Sequence, residues 1–279
     1  DVTHQVQVRT SLNAEANHTL WHLRLAHSND DILRLCNDKV DGVPIIKPRN
    51  VIDSCASCDG AKLTKVSFFK SKIPNDVKKS PSAKPFQYLS ADWGFIVQKS
   101  KNMDRYKRLM ALNGDTCYLV LQCYKSDYVV GVTSNNKEAP LLWLHVFLMK
   151  VAPPKRNSKV PHRIVRFDQD GDCEELASLF NQFGYFIETT GPENSRANGK
   201  SERFHRTCKG GIRAMLDSAG LSMKVWNYAF YHFIRIYNTT PRGSMSLVPY
   251  TTITKKKYNH KNTRIFGCIL TALKTGHPP

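Results

Sequence analysis

Residues 89–96, Leu-Ser-Ala-Asp-Trp-Gly-Phe-Ile, form a short and largely apolar stretch that predicts a β-strand inside a folded core. One carboxylate, Asp92, stands in the middle of this stretch. Burying a charged carboxylate there is costly unless a cation or hydrogen-bond donors accompany it. Taken alone, Asp92 has an ordinary explanation as a hydrogen-bonded strand residue, but it is also a candidate metal ligand.

The sequence on either side of this strand predicts a mixed α/β fold. Strands are predicted at 88–97, 117–124, 128–133, 163–167 and 185–188, and helices at 139–151, 174–183, about 197–219 and 223–239. Three strands, a helix, a strand and then further helices make an α/β order with a mixed sheet. Upstream, the apolar positions of 19–37 predict two short helices broken near 28–29.

The charge of the chain favours a polyanionic partner. Among 279 residues, 41 Lys and Arg stand against 23 Asp and Glu, which gives a formal net charge of +18 spread along the chain. A hydrophobic share of 41% supports a core, and no stretch reaches the roughly 18 consecutive apolar residues of a membrane span. Nucleic acid is therefore the expected partner, and a membrane is not. Residues 1–5 show no leader, which predicts a piece cut from a longer, non-secreted protein.

Two histidines and two cysteines near the N-terminus have the composition of a zinc site. Only Cys55 and Cys58 form a CxxC pair, which in a reducing compartment indicates a metal clip rather than a disulfide. With His22 and His27 they make a closed set of four protein ligands, which is typical of a structural Zn²⁺ site. Loss of the zinc ion should unfold residues 19–66 and leave the core folded. Alternatively, the CxxC pair occurs by chance and binds no metal. A further alternative is that His18, one helical turn before His22, is the ligand in place of His27, since His27 can reach the site only if the helix breaks near residue 26.

A second metal acid is predicted at the end of strand 163–167. The run Asp-Gln-Asp-Gly-Asp at 168–172 has an ordinary explanation as a turn followed by acids at a helix N-terminus. As a metal ligand we choose Asp168 over Asp170. The strand is expected to fix Asp168 beside Asp92, whereas Asp170 is next to Gly171, where the sequence predicts a turn and a less rigid position. Metal catalysis needs rigid placement, since a shift of about 1 Å can cost about a hundredfold in rate.

The third acid, Glu202, lies early in the predicted helix 197–219. Its ordinary explanation is a solvated residue that pairs with Arg206 at i+4. Carboxylates on a strand, at the end of a neighbouring strand and on a packing helix could instead hold two divalent cations that clamp a phosphodiester. The polar and basic side chains around Glu202 suit a DNA backbone. The predicted DNA contacts are Asn198, Lys200, Arg203, Arg206 and Lys209.

Taken in order, these motifs resemble the integrase of Ty1/copia-type LTR retrotransposons over about residues 19–270. The segment 20–27, Leu-Trp-His-Leu-Arg-Leu-Ala-His, is similar to the family's W-H-x-R-L-G-H, and Cys55-x-x-Cys58-x-x-x-Lys62 to its C-x-x-C-x-x-G-K. Asp92-Trp-Gly94 resembles D-x-x-G, Arg166-Phe-Asp168 resembles R-[ST]-D, and residues 198–207 match N-G-x-x-E-R-x-x-R-T. The pattern continues through Met215-Leu, Trp226, Tyr237-Asn238 and Arg264-Ile-Phe-Gly-Cys268.

The resemblance implies an RNase H-like core with a mixed five-stranded sheet flanked by helices, preceded by a small helical HHCC zinc-binding domain. It implies that Asp92, Asp168 and Glu202 hold two Mg²⁺ or Mn²⁺ ions and that Zn²⁺ is structural. The implied reaction is 3′-end processing of element DNA and its strand transfer into target DNA. The implied segments are a lead-in (1–18), a zinc-binding domain (19–69), a Lys/Pro linker (70–85), a catalytic core (86–245) and a truncated C-terminal extension (246–279).

The resemblance also implies partners and a location. These are double-stranded DNA (element ends and target), further copies of the chain, the rest of a Pol polyprotein in cis before processing, and the nucleus, reached through a cytoplasmic virus-like particle.

The chain departs from the family pattern at three places. The second motif carries an extra residue, and 33 residues separate Asp168 from Glu202, fewer than usual. Gly210-Gly211 should weaken the helix that carries Glu202. The chain stops soon after Cys268, before most of the family's C-terminal DNA-binding part. The alternatives are therefore a decayed, non-catalytic integrase fragment that binds nucleic acid with its zinc and basic residues, or an RNase H-like nuclease without strand transfer.

Overall fold

The structure, a computed structural model, describes residues 18–46, 55–62, 84–99, 106–152, 163–168, 173–190, 199–242 and 247–269. The strands are β1 (Tyr88–Gly94), β2 (Val97–Lys99), β3 (Tyr106–Arg108), β4 (Cys117–Cys123), β5 (Val129–Ser134), β6 (Arg163–Asp168) and β7 (Tyr185–Thr190). The helices are α1 (His18–Arg24), α2 (Asp30–Lys39), α3 (Ala56–Lys62), α4 (Leu141–Val151), α5 (Cys173–Gln182), α6 (Gly199–Ser218), α7 (Trp226–Thr239) and α8 (Pro249–Thr254).

Five strands form one mixed sheet in the order β5-β4-β1-β6-β7. The short link between β4 and β5 makes them an antiparallel hairpin, and β1 is antiparallel to β4. The pairs β1–β6 and β6–β7 are parallel, because helices α4 and α5 provide the crossover connections that parallel strands require. This sheet, flanked by helices and preceded by short helices with a His/Cys cluster, confirms the predicted RNase H-like fold class.

The alternating side chains of β4 divide the core into two clusters, one on each face of the sheet. Tyr118 and Val120 belong to a cluster that also contains buried residues of α6 and α7. Leu119 and Leu121 belong to the other cluster, with buried residues of α4 and α5. Because β4 is buried along its whole length, it packs on both faces as a central strand should.

The N-terminal segment belongs to the first of these clusters. Trp21, Leu25 and Leu33 are buried in the same cluster as Phe204 of α6. Farther along, a parallel bridge joins Asp41 to Asn259, so the segment also contacts the C-terminal part of the chain. Helices α1 and α2 therefore share the apolar core of the sheet's α6 face. The predicted lead-in apart from its last residue, His18, which begins α1, and the predicted linker apart from its last two residues lie outside the described residues.

The first predicted strand is shorter than expected. It ends at Gly94, and residues 97–99 pair instead with β3 in a separate two-stranded sheet. The last pair between the two strands joins Gly94 to Tyr118, and only one further residue of β4, Cys117, remains beyond it, so β4 offers β1 little length for more pairing. Strand β3 and the short helices α3 and α8 were not predicted, since three to seven residues are too few to show a clear period.

Helix α6 runs unbroken through the glycine pair that was expected to weaken it. A Cβ on Gly211 would lie 2.4 Å from Cε2 of Phe233, so only glycine lets α7 approach α6 this closely. A Cβ on Gly210 would lie 3.3 Å from Cγ of Lys62 on α3. The two glycines are where neighbouring helices pack against α6. None of the described helices is long and apolar enough to cross a membrane.

Candidate metal sites and basic cleft

Four side chains near the N-terminus converge on one point. The ligand atoms of His22, His27, Cys55 and Cys58 all lie within 4.8 Å of one another. Nε2 of His22 is 3.2 Å from Nδ1 of His27 and 3.3 Å from Sγ of Cys58, and both sulfurs are 3.5 Å from Nδ1 of His27. The ligands of a tetrahedral zinc ion, at bond lengths of about 2.0–2.3 Å, lie roughly 3.3–3.8 Å apart. The predicted set of ligands is thus brought together at a spacing suited to a single ion.

A left-handed turn places the second histidine. Helix α1 ends at Arg24, and Ala26 and His27 follow with φ angles of 52° and 59°. This is the helix break that ligation by His27 requires. Asn29 then caps α2, its side chain accepting a hydrogen bond from the backbone N–H of Ile32.

The remaining contacts orient the imidazoles. Nδ1 of His22 lies 2.8 Å from the carbonyl of Ser28 and donates to it, so Nε2 presents its lone pair to the cluster. His18 points elsewhere, since its Nε2 lies 2.9 Å from a carboxylate oxygen of Asp30. Lys62 donates to the carbonyl of His27. The geometry therefore favours His27 over His18 as the second histidine ligand.

Burial shifts the pKa of two of the four side chains. Burial, together with His22 and Lys62, lowers the pKa of His27 to about 3, so its imidazole is neutral. Burial raises the pKa of the Cys58 thiol to about 11, so a nearby cation is needed to make it a thiolate at neutral pH. Two imidazole nitrogens and two cysteine sulfurs are a donor set that fits Zn²⁺.

The first two predicted acids lie on adjacent strands. Asp92 is in the interior of β1, and Asp168 is the last residue of β6. The parallel register pairs Ala91 with Phe167, so the next residues along the two strands are Asp92 and Asp168. The side chain of Asp168, and Asp170 and Asp172 as a whole, lie outside the described residues. Backbone register alone thus puts the two aspartates side by side.

The third acid is on a helix that packs against β1. Glu202 is exposed in the first turn of α6. Three residues on, and on the same side of the helix, Nε2 of His205 lies 3.1 Å from Oδ2 of Asp92. That contact holds the Glu202 side of α6 next to the strand that carries Asp92. Glu202 is solvated, as its ordinary explanation has it, but within the described part of the chain it makes no ion pair with Arg206.

His205 and Tyr118 are site residues that the sequence reasoning missed. The phenol oxygen of Tyr118 lies 3.1 Å from Nδ1 of His205, on the side of the ring away from Asp92. The signal for His205 was its i+3 spacing from Glu202. Tyr118 had no such signal, because its position opposite Gly94 follows from strand register.

The predicted DNA contacts separate into two groups. Arg203 and Arg206 are exposed and Lys209 is half-buried on α6. Lys200 instead points into the protein, where its Nζ lies 2.6 Å from Oδ1 of Asp127 and donates to the carbonyls of Cys123 (3.0 Å) and Tyr124 (3.1 Å). Lys200 therefore ties α6 to the β4–β5 turn. Asn198 lies outside the described residues.

A basic cleft lies between the N-terminal segment and α6. Its volume is about 420 Å³, and its wall on α6 carries Arg206, Lys209 and Arg213. Lys62 of α3 lines the opposite side, and no carboxylate is among the lining residues. An acid-free cleft with several cations suits phosphate groups.

Comparisons with known proteins give a likeness of fold but no match to a known family. No family model and no curated protein sequence matches the chain. Among solved structures, the chain is similar to the crystal structure of the catalytic core domain of BIV integrase, at 15% sequence identity and a TM-score of 0.39. The likeness covers 61% of this chain and 95% of that one.

Proposed function

We propose that this protein is a polynucleotidyl transferase of the integrase type. In this proposal it trims the 3′ ends of an element's DNA and joins them to target DNA, with Asp92, Asp168 and Glu202 as the metal ligands. The observation that carries the proposal is the juxtaposition at the end of β1. Two aspartates are neighbours in the β1–β6 register, and the helix with Glu202 is held against β1 by His205.

The three acids fit a divalent metal. Carboxylate oxygens are the ligands that Mg²⁺ and Mn²⁺ prefer, and exposure of Glu202 leaves the site open to a substrate. When bound, such ions would neutralise a phosphodiester's charge and activate the attacking oxygen. The chain's own contribution is to hold the carboxylates rigidly and to bind the DNA backbone with Arg203, Arg206 and Lys209.

The attacking group in this proposal is water or a 3′-hydroxyl and not a side chain. Burial raises the pKa of Tyr118 well above that of a free phenol, so it stays protonated. Burial also raises the pKa of the Cys208 thiol, which is fully buried in α6. Neither nearby side chain is therefore suited to act as a covalent nucleophile.

The His/Cys cluster is proposed to hold one structural Zn²⁺. Its four protein ligands leave no position for a substrate, and its place against α6 suits a role in supporting that helix. We further propose that the chain acts as a homo-oligomer on double-stranded DNA in the nucleus, after release from a Pol polyprotein and passage through a virus-like particle.

The test is a strand-transfer assay with Mn²⁺ and labelled duplex DNA that ends in the terminal sequence of the element. The wild-type chain should join the labelled ends to target DNA, and Glu202→Gln should lose the reaction by about a thousandfold or more, since removing a metal ligand removes its charge. Glu174→Gln, an exposed acid at the start of α5, is the matched control and should retain activity. A wild-type chain that binds DNA but transfers no strand would instead support the non-catalytic alternative.

A further inference from the structure

A buried series of polar contacts leads from the interior of the protein to Asp92. Oδ2 of Asp92 lies 3.1 Å from Nε2 of His205, and Nδ1 of His205 lies 3.1 Å from the phenol oxygen of Tyr118. Tyr118 is 0% exposed and His205 7%. Since both are shielded from water, the phenol hydroxyl and Nδ1 of His205 depend on each other as hydrogen-bond partners. Nε2 of His205 makes no hydrogen bond within the described residues and lies beside the carboxylate of Asp92.

The phenol holds the imidazole from the side away from Asp92. Burial raises the pKa of Tyr118 well above that of a free phenol, so its O–H can donate to Nδ1 of His205. This bond limits rotation of the imidazole ring, whose Nε2 lies 3.1 Å from Oδ2 of Asp92. Oδ2 therefore faces the imidazole, and Oδ1 is left for other ligands.

Close packing holds the phenol in place. The ring of Tyr118 is 4.6 Å from that of Phe230 and 6.1 Å from that of Trp226, measured between centroids. On the other side it lies over Gly94, where an added Cβ would be 2.2 Å from Cζ of the phenol. The ring has no room to move, and the absence of a side chain at residue 94 is what makes its position possible.

We propose that Tyr118 and His205 are positioning residues that fix the carboxylate of Asp92 in the orientation in which it binds a divalent metal ion. Gly94 makes the arrangement possible by leaving space for the phenol. The inference rests on the proposed function, because it takes Asp92 to be a metal ligand. Hydrogen-bonding partners of metal ligands typically contribute about 10–100-fold to metal affinity or activity, which sets the size of the expected effect.

The test measures binding of Mn²⁺ to the zinc-loaded full chain by electron paramagnetic resonance of the free ion. Tyr118→Phe keeps the packed ring and removes only the hydroxyl, and we expect Mn²⁺ affinity to fall by about tenfold or more. Tyr185→Phe is the matched control. It also removes a buried hydroxyl, one that donates to the carbonyl of Phe86 at 2.6 Å, but on the other face of the sheet. It should bind Mn²⁺ as the wild type does.

A second pair of variants tests the histidine. His205→Gln keeps an N–H donor near Asp92 and should retain more Mn²⁺ affinity than His205→Ala. A purely structural role would lower the melting temperatures of Tyr118→Phe and Tyr185→Phe alike and leave the Mn²⁺ affinity of both unchanged.

Two outcomes would overturn the proposal, and they are distinguishable. If Asp92→Asn abolishes Mn²⁺ binding while Tyr118→Phe binds as tightly as Tyr185→Phe, Asp92 is a ligand but the positioning role is wrong. If Asp92→Asn leaves Mn²⁺ binding unchanged, Asp92 is not a metal ligand, and the proposed function fails together with the positioning role.

Discussion

The His/Cys cluster and the acid site are built in opposite ways. The four ligands of the cluster come from two short segments, and their atoms lie within 4.8 Å of one another. The three acids stand on two strands and a helix, and Glu202 faces solvent. A closed set of protein ligands leaves no room for a substrate, whereas an open set does. The comparison separates a site suited to holding the fold from a site suited to chemistry.

The two sites nevertheless meet on one helix. The N-terminal segment packs into the same apolar cluster as α6 and α7, and Lys62 lies beside Gly210 in the middle of α6. The expectation that zinc loss would unfold residues 19–66 and spare the core treated that segment as separate. Because the N-terminal segment shares this apolar cluster with α6, loss of zinc is expected to destabilise the α6 side of the core as well.

The largest expected effect contrasts a cluster ligand with an acid. Replacing both cysteines, Cys55→Ser with Cys58→Ser, should remove one equivalent of zinc and lower the melting temperature by roughly 10 °C or more, since structural zinc supplies folding free energy. Asp92→Asn should leave the melting temperature nearly unchanged, because it keeps the shape of the side chain. Metal analysis and thermal melting followed by circular dichroism provide both measurements. Equal loss of stability in the two variants would remove the distinction between the sites.

The next effect concerns the glycine pair of α6. Gly211→Ala should destabilise the fold by about 2–3 kcal/mol, because its Cβ would overlap the ring of Phe233. Gly210→Ala faces only the flexible side chain of Lys62 at close range and should be neutral or stabilising by up to about 1 kcal/mol, as helix propensity favours alanine. Urea unfolding of the two variants measures the difference. Equal destabilisation would mean that Phe233 does not lie against α6 as described.

A smaller effect separates structural from DNA-binding cations. Lys200→Ala removes the partner of Asp127 and of two carbonyls and should cost about 1–2 kcal/mol of stability. Arg203→Ala is exposed and should change stability by less than about 0.5 kcal/mol. It should instead lower the slope of log DNA affinity against log salt by about one. If Lys200→Ala changed the salt slope and left stability intact, the assignment of Lys200 to the interior would be wrong.

The smallest effect tests which histidine belongs to the cluster. His18→Ala should keep one equivalent of zinc and lose only the contact with Asp30, which is half-exposed and contributes about 1 kcal/mol at most. His27→Ala should lose zinc. Metal analysis after dialysis decides between them, and zinc lost from His18→Ala but kept in His27→Ala would reverse the ligand assignment.

Much of the secondary structure could be predicted because its signals are local. The hairpin β4–β5 and the helices α4 and α5 begin and end within a few residues of their predicted positions. Where the prediction was wrong, a distant neighbour decided the outcome. Strand β1 ends at Gly94, one residue short of the point where its antiparallel partner β4 begins, and α6 tolerates Gly211 because Phe233 of α7 fills the space.

The sequence by itself determined the chemistry of the ligands. The types and spacing of His22, His27, Cys55 and Cys58 indicated a metal cluster before any fold was known, since a CxxC pair and two nearby histidines are local features. It also placed Asp92 within a strand, where a carboxylate needs a partner.

Only the tertiary structure decided which partners these residues have. It placed His205 against Asp92, turned Lys200 toward Asp127 and packed the N-terminal segment onto α6. These contacts join residues that are far apart in the chain. They depend on strand register and on how tightly side chains fit together. The hydrophobic periodicity of the sequence contains no information on either, because it indicates which face of a helix or strand is buried and not which residues that face contacts.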